Sequence, residues 1–133
     1  MKRIEKMIPA AIASVTDCGI AQRVGADYEV EAEFNGYISS LGASIVSAGL
    51  LPTLIFFSNK GGSKANRPAV IKAIEKILKT NNYLRSDEHL LKKVETFVKI
   101  NNNAELARLG DLIADAAVAL KLAIRTFPEK NSN

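Results

Sequence analysis

The chain has 133 residues, 47% of them hydrophobic and 24% charged, which suits one globular domain with one core and leaves little room for a second. Lys and Arg number 18 against 14 Asp and Glu, a net charge of +4, so the surface is drawn to phosphate backbones or acidic partners with an attraction that salt weakens. Cys18 is the only cysteine, which excludes an internal disulfide and a multi-cysteine zinc site and points to a reducing, cytoplasmic setting.

At the N-terminus, Glu5, Lys6 and Pro9 interrupt the apolar run that a signal peptide needs, so secretion is not expected. Apolar residues recur at three and four, and strand-like alternation is weak, which predicts an all-α, compact bundle of about six helices in a single domain. The first helix carries Ile4, Ile8, Ile12 and Val15 and is expected to run to about Val24, with Gly25 as its stop and Pro9 as a kink or restart. Glu29, Glu31 and Glu33 suit the N-terminus of a second, whose stripe is Phe34, Tyr37, Ile38, Leu41, Ile45 and Ala48. Ser39, Ser40, Ala43 and Ser47 on its other side predict a closely packed neighbour.

Gly49-Leu50-Leu51-Pro52 breaks that pattern, and a short apolar helix through Phe56 and Phe57 follows; Phe56 is taken as a buried aromatic. A Gly-rich basic loop from Ser58 to Lys64 leads to Pro68, a first-turn proline, and a fourth helix through Val70, Ile71, Ile74, Ile77 and Leu78 that ends at Asn81-Asn82. Ser86, with Asp87 and Glu88 after it, predicts the N-cap of a fifth helix through Val98. Asn103 predicts the cap of the longest helix, with Leu106, Leu109, Ile113, Ala116, Leu120, Ile124 and Phe127 on one face until Pro128. Residues from about 129 to 133 are expected to fray, and no sequence repeat or low-complexity tract supports a solenoid.

Ile38 to Phe57 carries no charge and would pass a hydropathy filter for a membrane span of about 20 residues. The serines within it and the Gly49–Pro52 break instead favour two core helices and no membrane association. Asn59-Lys60-Gly61-Gly62-Ser63-Lys64 lacks the spacing of a phosphate loop, and no strand precedes it. Lys60, Lys64 and Arg67 could still meet a phosphate backbone, or the loop could simply be solvated.

His89 has no metal-ligand companions in sequence and reads as a surface or capping residue. Arg108, Asp111 and Asp115 read as a solvated ion-pair face, and Cys18 as a small core residue. These residues form no catalytic constellation and imply no cofactor or metal. Val118 and Leu122 fall on the face opposite the Leu109, Ile113 and Leu120 stripe, flanked by Lys121 and Arg125. A mixed apolar and basic patch of this kind can meet another subunit while its rim touches RNA; isolated exposed apolar residues are the alternative.

Tyr37-Ile38-Ser39-Ser40, the run IVSAGLLPTLIFF from Ile45 to Phe57 followed by Ser58-Asn59-Lys60, and the Ala-rich last helix ending LKLAIRTF resemble the small all-helical subunit of type III-B CRISPR effector (Cmr) complexes. The resemblance implies a nuclease-free subunit of antiviral defence. Such a subunit stacks with copies of itself beside other subunits of the effector complex and lines the groove where guide RNA pairs with target RNA. It also places basic positions after the third helix and along the last one, here Lys60, Lys64, Lys121 and Arg125; Arg67 joins them by proximity. The alternative is a helix-turn-helix DNA-binding regulator reading the major groove with Arg85, Lys92, Lys93 and Lys99.

Overall fold

Helix α1 (Arg3–Asp17) buries Met7, Ala11 and Val15 on one side, with Ser14 among them donating its hydroxyl to the Ala11 carbonyl at 2.7 Å. Pro9 lies inside it, at a cost of one ladder donor. The computed structural model describes residues 1–59 and 66–130, so Lys60 and Lys64 lie outside the described residues.

The first departure from the sequence expectation comes next. Instead of continuing to Val24, the helix stops at Asp17, where Gly19 takes φ +79°, a conformation that L side chains rarely adopt. The chain then folds into an antiparallel hairpin of β1 (Ala21–Val24) and β2 (Asp27–Val30), with Ala21 opposite Val30 and Val24 opposite Asp27. Gly25, at φ +64°, occupies the first place of the two-residue loop, where positive φ matches strand twist. Only the hairpin's base is buried, at Ala21 and Val30, which is why no period of two shows in the sequence. Val30 also takes a hydrogen bond from Lys130 N and gives one to Pro128 O. Glu129 and Lys130, expected to fray, are thus held against the hairpin, and residues 131–133 lie outside the described residues.

Helix α2 (Glu33–Ala48) buries Phe34, Ile38 and Leu41, and Gly49 at φ +98° ends it. Helix α3 (Leu50–Ser58) follows at once, so the uncharged run is two helices, and no helix among the described residues is long and apolar enough to cross a membrane. The closely packed neighbour predicted for the serine side of α2 is not there. Ser39, Ser40, Ala43 and Ser47 are exposed, and the Ser40 and Ser47 hydroxyls donate to the carbonyls of Tyr37 and Ala43 in their own helix. On α3, Phe57 is the buried aromatic, 1% exposed, whereas Phe56 is 54% exposed, which reverses the expectation for Phe56.

Helix α4 (Arg67–Thr80) buries Ala69, Val70, Ile71, Ala73, Ile74, Ile77 and Leu78. It and α5 (Leu90–Lys99) end in the same device: Asn82 at φ 64° and Asn101 at φ 55° turn left-handed, and the next amides, Tyr83 and Asn102, reach back to the carbonyls of Leu78 and Phe97, both at 2.9 Å. The expected Ser86 start of α5 is displaced to Leu90, because Arg85 and Glu88 close a turn around Ser86-Asp87. Residues 81–89 are also far longer than the turn of about 3–4 residues that a helix-turn-helix needs.

Glu75, from α4, supplies the missing cap by accepting the Leu90 amide at 2.8 Å. Glu75→Ala is expected to lower stability by about 1–2 kcal/mol in chemical denaturation, with Glu75→Gln losing less because it keeps an acceptor.

Helix α6 (Asn103–Ile124) is capped one residue earlier than expected, by Asn102 and not Asn103, with the Asn102 side chain accepting the Glu105 amide. Leu109, Ile113, Ala116, Leu120 and Ile124 are buried as their spacing predicts. It packs most extensively on α1, then on α2 and α4, and Arg3 of α1 bonds Asp115 of α6 at 2.6 Å. Six helices and one two-stranded sheet thus account for the described residues.

Candidate functional site

The outer face of α6 is where the sequence signals converge. Val118 and Leu122, one turn apart, are 46% and 39% exposed, so the core does not account for them. Lys121 stands between them and donates to the Ser39 hydroxyl of α2 at 2.5 Å, while Arg125 caps the helix in the exposed position expected of it. These four residues share one side of α6 because they are spaced at three, four and seven.

Beside them, α2 and α6 leave an apolar groove. One part, of about 360 Å³, is lined by Ile45, Ala114, Val118 and Lys121. A larger part, of about 720 Å³, runs on past Val46, Leu51, Val98 and Gly110 and carries one ionisable group, Asp111. Two glycines widen it: a Cβ built at Gly42 or Gly110 would meet nothing within 4 Å. Val46, 88% exposed at the rim, was missed in the sequence because it lies off the buried stripe of α2. A branched apolar residue off-stripe next to a helical glycine is the signal that could have found it.

The charge pattern separates committed cations from available ones. Asp17 holds Lys76 and Glu31 holds Lys130, in each case raising the lysine's pKa chiefly through a side-chain hydrogen bond. Lys93 pairs with Glu88 and lowers that carboxyl's pKa, and Arg108 pairs with Glu105 at 3.0 Å. The ion-pair face expected among Arg108, Asp111 and Asp115 is therefore divided: Asp115 goes to Arg3, Arg108 to Glu105, and Asp111 faces the groove. Lys121 and Arg125 have no carboxylate partner among the described residues, a state they share with Lys72, Lys79 and Lys92. They alone of these lie beside the exposed Val118 and Leu122, and a cation without such a partner is free to meet a phosphate. Arg67 stands apart from them at the start of α4, bonded to the Asn59 carbonyl. Lys60 and Lys64 lie outside the described residues.

The remaining titratable groups are scattered. Cys18 sits half-buried just past the end of α1 with its thiol pKa raised, foremost by burial, the reverse of an activated nucleophile. His89 is exposed, its Nδ1 3.6 Å from Glu75. Among the described residues no three His, Cys, Asp or Glu side chains are grouped to hold a metal ion.

A family model described as CRISPR-associated protein (Cas_Cmr5) matches residues 8–106, most of the chain. The chain belongs to that family. The Cmr-type small subunit that the sequence resembles is thereby its kin, and no significant match to a curated protein or a solved structure accompanies the family match. The Cas_Cmr5 span runs from the second turn of α1 to the first turn of α6. It takes in α2 and α3, and it stops before Val118, Lys121, Leu122 and Arg125.

Proposed function

We propose that the chain is the non-catalytic small subunit of a type III-B CRISPR effector complex, stacking with copies of itself beside the backbone subunits and helping to hold guide and target RNA in antiviral defence in the cytoplasm. Membership of the Cas_Cmr5 family supports the complex. What carries the division of labour is the outer side of α6, where Lys121 borders an apolar groove and Arg125 stands exposed one turn further on, both without carboxylate partners among the described residues. Apolar floor and basic rim suit two neighbours at once: a protein segment for the groove and a phosphate backbone for the rim.

Filling the groove tests the protein half of the reading. Gly110→Leu projects into open space and replaces a helix-interior glycine, so the thermal midpoint should hold or rise, since such a glycine costs about 0.5–1 kcal/mol relative to Ala. Assembly with neighbouring subunits, followed by size-exclusion chromatography with light scattering on the reconstituted complex, should be lost or weakened by about tenfold or more, the scale of a blocked interface pocket. Normal incorporation of a folded Gly110→Leu chain would remove the groove from the interface.

A further inference from the structure

Phe56 is a large aromatic side chain left 54% exposed on the last turn of α3, directly beside the buried Phe57. Single exposed apolar residues are common; the company of this one is not. The Arg67 guanidinium carbon sits 4.1 Å from the Phe56 ring centroid, within cation–π range. Its Nε and Nη2 both donate to the Asn59 carbonyl, at 3.2 and 2.6 Å. Two bonds to one oxygen fix the plane of the guanidinium, and the ring fixes its height. Phe57 supports the ring from the core side, with centroids 5.6 Å apart and an edge-on angle of 76°. Arg67 has no carboxylate partner among the described residues, so its charge is not cancelled.

We infer that Phe56 and Arg67 form a preorganised stacking platform for an unpaired RNA base, with the guanidinium charge serving the adjoining phosphate. This rests on the RNA-holding role proposed above and adds to it a preference for single strands. An apolar protein surface closing over the ring would have to desolvate Arg67 without giving it a counter-charge. A nucleotide offers a flat π-face and an anionic group together, which is how aromatic and guanidinium planes serve unpaired bases. Duplex RNA keeps its bases stacked inside and can use only the charge.

The test uses the full chain with a single-stranded oligouridylate and a duplex RNA of equal length as probes. Phe56→Ala should weaken single-strand binding by about tenfold, as loss of one base–aromatic stack does, while leaving duplex affinity and the salt slope unchanged. Arg67→Lys keeps the charge but not the plane, and should show the same selective loss. The chain contains no tryptophan, so Phe56→Trp places a single indole reporter on the platform; its fluorescence should be quenched by the single strand and not by the duplex. If the wild-type chain binds single strands and Phe56→Ala does so equally well, the platform is wrong and the RNA-holding role survives. Equal losses on both probes overturn the single-strand preference. Unchanged RNA affinity with lost subunit incorporation would make Phe56 a protein contact. Absence of RNA binding by wild type, alone and in the assembled complex, would bring down both readings.

Discussion

Phe57→Ala is expected to lower stability by about 3–5 kcal/mol, the range for deleting a buried aromatic side chain, whereas Phe56→Ala should stay within about 1 kcal/mol. The two residues are adjacent in sequence and identical in chemistry, so the difference isolates burial. Phe57 is 1% exposed, and its removal opens a cavity beneath α3 that neighbouring helices can close only partly. Phe56→Ala loses a cation–π contact with Arg67 and an edge-on contact with Phe57, both at a half-exposed side chain that leaves no enclosed cavity. Urea titrations of both variants give the comparison directly, provided that the m-values match that of the wild type. Equal midpoints for the two would mean that α3 is rotated from the orientation described.

Lys121→Glu with Arg125→Glu is expected to weaken RNA binding by about tenfold or more and to make the salt dependence of binding shallower by about two phosphate contacts. Stability should barely move, because among the described residues the protein bond at stake is the exposed one from Lys121 to Ser39. Affinity measured at several salt concentrations, with thermal melts alongside, separates these effects. Unchanged affinity in both the isolated chain and the assembled complex would move the phosphate contacts to Arg67 and the segment before it. Parallel loss of affinity and of melting temperature would mark the pair as structural.

The helical part of the fold was legible because burial imposes a period. Leu109, Ile113, Leu120 and Ile124 all face the core where spacing places them, and Pro68 and the Asn81-Asn82 pair mark a start and an end that the backbone honours. What failed was local and unburied. The hairpin of β1 and β2 escaped notice because only Ala21 and Val30 face the core, and Val24 is left to solvent. Phe56 and Phe57 could not be told apart on a helix as short and apolar as α3, where hydrophobicity has almost no direction. Ser86 looked like a cap, but Glu75, distant in sequence, does the capping, and such a partner leaves no local trace.

The candidate site was partly legible for the same reason in reverse. Val118 and Leu122 stood out as apolar residues off the buried stripe, and they are exposed. The groove beside them was not visible, since it needs several helices at once: Gly42 and Val46 come from α2, Leu51 from α3, Val98 from α5, and Gly110 and Ala114 from α6. Which lysines are engaged by carboxylates was equally hidden, because Asp17 and Lys76, or Glu31 and Lys130, meet only in three dimensions.

The pairing of α1 with α6 also sets the order of events during synthesis. These two helices share the most extensive packing in the fold although they come from opposite ends of the sequence. Met7, Ala11 and Val15 are therefore made long before the α6 surface that packs on their helix, and until then α4 can cover only part of that flank. Contacts this distant in sequence close late and slow the search for the native state. Until α6 is made, the part of the α1 flank that it covers stays exposed, and apolar surface left open in this way is prone to aggregation.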